Sequence, residues 1–197
     1  MSISESNIPS TEILSLFPNQ GEWQEGDYFA LPGNRIIELV RGHIEVPPMP
    51  SLLHQLLSRQ IFLWLHEFVS KRELGIVMTA PTRVRIDGRH YREPDVLFVS
   101  TPNLNRRTEQ YWEVIDLAVE IISPDDPDRD LIDKREDYAV AGVSEYWIVD
   151  PREDSVAVLH LSDGEYVEHP KDPIARSKLL PDLEINVFEL FQAARTS

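Results

Sequence analysis

Residues 115–123 read IDLAVEIIS, and residues 145–150 read EYWIVD. Each is a short run rich in β-branched or aromatic residues and bounded by polar sequence, the pattern of a strand covered on both faces. Between them, Ser123-Pro124 and the acidic stretch DDPDRD mark a helix start, because carboxylates satisfy orphan amides and favour the positive end of the helix dipole. The spacing predicts a helix to about Ala141, with Gly142 as its left-handed stop. Strand, helix and strand in that order predict a parallel pair over residues 116–150 and an α/β fold.

Working outward, apolar residues recur at three- and four-residue spacing from Ser51 to about Ser70, which predicts one long amphipathic helix closed by Gly75. After it, GIVMTA and TRVRI read as strands that turn at Asp87-Gly88 into RHYREPDVLFVS, placing Asp95 early in a strand. Upstream, RIIELVRGHIEV is a hairpin about Arg41-Gly42. Asn103 to Glu113 reads as a polar surface loop, VAVLHL and EYVEH as a hairpin about Asp163-Gly164, and Val187 to Ala194 as a short closing helix. Residues 1–25 read as a loosely ordered arm with a short helix near Thr11 to Phe17, and residues 26–197 as a single domain. The expected architecture is a mixed central sheet flanked by helices, with antiparallel strands toward the N-terminus.

The chain has 197 residues, 42% of them apolar and 27% charged, the composition of a globular protein able to bury its own core. It has no cysteine, which excludes disulfides, thiolate metal sites and cysteine nucleophiles and suits a reducing, cytoplasmic setting. Neither a signal peptide nor a membrane-spanning run is expected. A net charge of −15 disfavours tight, sequence-blind binding to nucleic acid, although it leaves room for a local basic face.

Glu120 is the one charge inside the IDLAVEIIS run after Asp116, and an ionised carboxylate buried without a partner is costly. Alternation puts Ala118, Glu120 and Ile122 on one face and Leu117, Val119 and Ile121 on the other. Asp95, held at a strand start by Pro94, heads VLFV on what should be a neighbouring strand. Two carboxylates brought together either share a proton or bind a cation, and oxygen-only ligation favours Mg²⁺ or Mn²⁺. The plainer readings are an Asx-turn cap for Asp95 and a salt bridge to a buried arginine for Glu120. Lys134 lies on the following helix between Asp130 and Tyr138 and can reach back toward the pair; otherwise it is a solvated lysine paired with Asp130.

Taken together, ELVRGHI, His54 opening the long helix, REPDVLFV, LAVEIISP, the Lys134 and Tyr138 helix and GVSEYWIVDP, in this order, resemble the Uma-two family, long labelled a domain of unknown function. The resemblance runs from about Glu38 to Phe191. It implies the restriction-endonuclease-like PD-(D/E)XK fold and a Mg²⁺-dependent endonuclease acting on DNA, with Asp95 and Glu120 as metal-holding acids. Two residues after Glu120, where that motif has lysine, stands Ile122, so Lys134 becomes the substitute for the third catalytic position. Glu38 and Glu67 are candidates for an additional acid, Glu38 matching the family pattern better. His54 is either a phosphate or water contact or a surface histidine. The hairpin carrying Arg83, Arg85, Arg89 and Arg92 is either a phosphate-contacting basic surface or an ordinary charged edge.

Two other functions stay open on the same fold: a non-catalytic, nucleic-acid-associated binder or scaffold, and a hydrolase of a small phosphorylated molecule. The missing motif lysine and the net charge favour the first, the acidic surface the second. A homodimer is expected by analogy with enzymes that cut both strands of a duplex.

Overall fold

The computed structural model describes residues 17–31, 37–123, 127–170 and 172–196. Its centre is a six-stranded sheet in the order β10-β9-β8-β7-β6-β3. The strands are β3 (Gly75–Thr79), β6 (Val96–Ser100), β7 (Leu117–Ile121), β8 (Glu145–Asp150), β9 (Ser155–Ser162) and β10 (Glu165–Glu168). Among the described strands of this sheet, β7 and β8 alone pair in parallel, Val119 facing Trp147 in the register, because a helical crossover separates them. The crossover ends in α3 (Lys134–Val140), which Gly142 stops at φ 75°.

Alternation along β7 splits the core into two layers. Val119 and Ile121 pack with Leu57, Ile61 and Leu65 of α2 (Leu52–Lys71) and with Leu190 and Phe191 of α4 (Val187–Thr196). Ala118 and Ile122 pack on the opposite face with Tyr138 of α3 and Tyr146 of β8. Burial of each such aliphatic side chain stabilises the fold by roughly 1.5–3 kcal/mol. Ser51 caps α2 by accepting the His54 amide on its hydroxyl, which fixes where that helix begins.

A second, antiparallel sheet runs β2-β1-β5-β4: β1 (Glu38–Val40), β2 (His43–Glu45), β4 (Val84–Asp87) and β5 (His90–Arg92). The segment RHYREPDVLFVS is split between sheets, β5 ending at Arg92 and β6 starting at Val96, one residue after the strand start expected at Asp95. Pro94 lies between them and can donate no ladder hydrogen bond. A short pair, β11 (Ile174–Arg176) with β12 (Glu184–Asn186), completes the strands and was not expected.

Two expectations change in detail. The left-handed residue after α2 is Glu73, not Gly75. Gly75 instead lets β3 approach its neighbour, since a Cβ there would lie 2.0 Å from the Val99 carbonyl oxygen. Residues 17–25 are not a loose arm: Trp23 is buried and stacks on Phe17, and the Gly21 and Trp23 amides donate to the Gly42 carbonyl at the hairpin turn. That contact requires glycine at 42, where a Cβ would meet the Gly21 carbonyl oxygen at 2.6 Å. The segment leads into α1 (Glu25–Phe29), whose Tyr28 joins a third cluster with Trp23, Leu39 and Tyr91. The helix expected near Thr11 to Phe17 lies, but for Phe17, outside the described residues. Among the described residues no helix is long and apolar enough to cross a membrane.

Candidate active site

Antiparallel pairing of β6 with β7 sets Val96 against Val119, so one step further Asp95 comes to the level of Glu120. Asp95 precedes the strand, and its Oδ2 takes the place of a ladder acceptor, receiving the Ile121 amide at 2.8 Å. His54, from the first turn of α2, brings Nε2 to 3.1 Å from the same oxygen. Each oxygen of the Glu120 carboxylate has a partner: Tyr138 donates its hydroxyl to Oε1 at 2.6 Å, and Lys134 Nζ stands 2.8 Å from Oε2. Lys134 also contacts Asp130 Oδ1 at 3.1 Å, a charge contact without hydrogen-bond alignment.

What aims these side chains inward is a π-helical turn, Arg129–Asp133, that leads into α3. Asp130 and Lys134 are buried, and Tyr138 follows one turn later on the same side. Ile122, at the position where the motif would place lysine, is packed in the core with Tyr138 and Tyr146. Lys134 supplies an ammonium beside Glu120 from the neighbouring helix instead.

Above the pair opens a small cleft of about 80 Å³, lined by five acids (Glu38, Glu93, Asp95, Glu120, Asp130), two cations (Arg129, Lys134) and His54. Pro47, Pro48 and Pro50 form a neutral wall at its mouth. The space has room for a hydrated ion and an adjoining phosphate-sized group.

Charge in the cleft is out of balance. Burial, with repulsion from Asp95 and Asp130, pushes the Glu120 carboxyl up to about 8 although Lys134 pulls it down. Burial also pushes Glu93 up to about 7, against the pull of Arg83. Lys134 is held firmly protonated: burial opposes its charge, but Glu120, Asp130 and Glu38 outweigh burial. Burial and the adjacent Glu120 both raise the Tyr138 phenol, which therefore stays a donor.

Of the residues singled out in the sequence, Asp95, Glu120, Lys134, His54, Tyr138 and Glu38 are brought together, Glu38 reaching the cleft from β1. Others are not. Glu67 is exposed on α2 and pairs with Lys71 at 2.6 Å, away from the cleft. The expected basic face is largely consumed by internal contacts. Arg92 is fully buried, bound to Glu38 at 2.8 Å and Asp137 at 2.7 Å. Arg83 lies over Tyr28, donates to its hydroxyl and pairs with Glu93. Arg85 lies near Tyr111, and of the four only Arg89 is exposed. Acids and aromatics from α1, β1 and α3 fold over this hairpin, which its local sequence does not reveal.

Arg129, Asp130 and Glu93 are the charged lining residues that the sequence does not mark as ligand-facing groups. The first two sit in DDPDRD, where Arg129 is legible only as part of a helix start and Asp130 also as a partner of Lys134. Glu93 lies inside the REPD run itself, and its position beside Pro94 was the available signal.

The chain belongs to the Uma2 family, whose model, described as "Putative restriction endonuclease", matches residues 26–188. Among solved structures, it resembles one described as a putative nuclease belonging to DUF820 from Anabaena variabilis ATCC 29413. The two are 19% identical, and the match has a TM-score of 0.73 over 90% of this chain and 99% of that one. At that identity the likeness concerns the fold, a mixed sheet flanked by helices. No curated protein matches the chain.

Proposed function

We propose that this chain is a divalent-metal-dependent endonuclease that hydrolyses phosphodiester bonds in DNA at the cleft between Asp95, Glu120 and Lys134. The observation that carries the reading is the surplus of buried carboxylate around one lysine, with Glu120 pushed up to about 8. Such a surplus fits a hard cation, since the donors are all carboxylate oxygens. Among the described residues no three acids or histidines converge on a single ion position. Asp95 and Glu120 would therefore hold Mg²⁺ or Mn²⁺ as a pair. When bound, the ion would polarise a phosphate oxygen and make water a better nucleophile.

The chain's own groups have separate tasks. Tyr138 and Lys134 fix the rotamer of Glu120 through its two oxygens. The Ile121 amide and His54 do the same for Asp95. Lys134, held protonated, offsets the negative charge that grows on the phosphoryl oxygens in the transition state. Family membership supports the nuclease class, and the fold supports the placement of the acids.

The test is calorimetric titration of Mg²⁺ and Mn²⁺ into the wild type, Asp95→Asn and Glu120→Gln, with plasmid nicking measured in parallel. Weaker metal binding and loss of nicking in both variants are expected. Equal metal affinity in all three proteins would sink the site, and metal binding by a wild type that nicks nothing would favour a non-catalytic binder.

A further inference from the structure

Nearly every cation around the cleft is committed to a carboxylate. Lys134 serves Glu120 and Asp130, Arg92 serves Glu38 and Asp137, and Arg83 serves Glu93. Arg129 is different. It lines the cleft from the first position of the π-helical turn, and its Nε is buried without a hydrogen-bond partner. Among the described residues it makes no ion pair, although five acids line the same cleft. Its neighbour Asp130 is turned inward and spends its charge on Lys134.

A buried guanidinium nitrogen without a partner is costly, and single extra turns of the π type are found disproportionately where a fold serves a ligand. The ligand that completes Arg129 must carry paired oxygens, because the guanidinium presents its donors as a planar fork. A phosphodiester group presents two non-bridging oxygens sharing one negative charge. Pro47, Pro48 and Pro50, which line the same cleft, bring no competing charge and little freedom to move.

We infer that Arg129 is the phosphate-gripping residue of the cleft, taking the two non-bridging oxygens of a substrate phosphodiester and so acting in binding more than in bond cleavage. This rests on the reading of the cleft as a phosphodiester hydrolase. It separates the two cleft cations by task, Arg129 receiving the substrate and Lys134 serving the transition state.

The experiment has two arms on the full chain. In the first, Arg129→Lys and Arg129→Gln are assayed with Mg²⁺ on a single-stranded oligonucleotide. KM should rise roughly ten- to a hundredfold in Arg129→Gln, the worth of a lost charge-assisted pair, with kcat changed less than about threefold. Arg129→Lys, which keeps the charge without the fork, should fall between. An unchanged KM, or a loss confined to kcat, would overturn the inference. In the second arm, wild-type protein is labelled with phenylglyoxal, which reacts with unpaired guanidinium groups, and the modified arginines are mapped by mass spectrometry. Arg129 should label ahead of Arg92 and Arg83, and inorganic phosphate should slow its labelling. Phosphate protection in a protein that cleaves nothing supports Arg129 as the anion contact while removing the nuclease reading. Cleavage without phosphate protection keeps the nuclease and removes this role for Arg129.

Discussion

Two buried charge clusters lie side by side in this molecule, built from the same residue types and set to opposite ends. In the first, Arg92 joins Glu38 and Asp137, with His90 Nε2 3.0 Å and Arg41 Nη2 3.1 Å from Asp137. Burial opposes ionisation of both acids, yet Lys134 and Arg92 hold Glu38 below its ordinary range, and His90 and Arg92 do the same for Asp137. In the second, burial wins over Lys134 at Glu120 and over Arg83 at Glu93. A cluster whose acids are pulled down is complete as it stands and pins β1 and β5 to α3. A cluster whose acids are pushed up lacks positive charge, and that shortage marks where a cation belongs.

The sharpest way to break this contrast is Arg92→Met. It leaves Glu38 and Asp137 buried without their main partner and should cost about 3–5 kcal/mol in urea denaturation. A loss below about 1 kcal/mol would mean that the first cluster does not hold the small sheet in place.

Glu120→Gln should behave in the reverse sense. Turnover should fall by about a hundredfold or more, the scale seen when a preorganised charge-stabilising group is removed. The metal-free variant should nonetheless match the wild type within about 1 kcal/mol at pH 8, since it no longer buries a reluctant carboxylate. Collapse of the variant would show that Glu120 is structural first.

The pH dependence separates the clusters further. Glu93 and Glu120 hold their protons in the folded chain up to about 7 and 8, whereas unfolded glutamates release them near 4.5. The folded state therefore binds more protons across that window, and the metal-free protein should lose stability as pH rises from about 4.5 to 8. Glu38 and Asp137, lowered on folding, contribute stability that is present above their ordinary values and lost as acid titrates them. Thermal melts from pH 3 to 9, in chelator and in Mg²⁺, should show decline at both ends, with Mg²⁺ relieving only the alkaline one. The smallest effects belong to exposed groups outside both clusters: Glu67→Ala and Arg89→Ala should each stay within about 0.5 kcal/mol and leave nicking unchanged.

Much of the frame was legible because period carries it. The two-residue alternation of β7 and the three- and four-residue spacing of α2 follow from which faces are buried. Lys134 was traceable for the same reason, standing one helical turn from both Asp130 and Tyr138. The fate of the arginines was not traceable. A hairpin bearing Arg83 and Arg92 reads as basic until acids from β1, α3 and Glu93 close over it, and nothing in that hairpin encodes those contacts. The change of sheet at Pro94 is hidden in the same way, since a strand passing between two sheets keeps its apolar pattern. The π-helical turn leaves no periodic trace over five residues, which is why Arg129 read as part of a helix start.

The passage from β5 to β6 spans Glu93, Pro94 and Asp95. Arg92 on one side closes the balanced cluster, and Glu93 and Asp95 on the other face the unbalanced one. The two assignments are thus a matter of counting residues. Removal or insertion of a single codon here would shift arginine, glutamate and aspartate into one another's places and damage anchor and cleft together. The polar loop around Arg106 and Thr108, by contrast, should absorb changes in length. The spacing from Arg92 to Asp95 should therefore tolerate changes of residue better than changes of length.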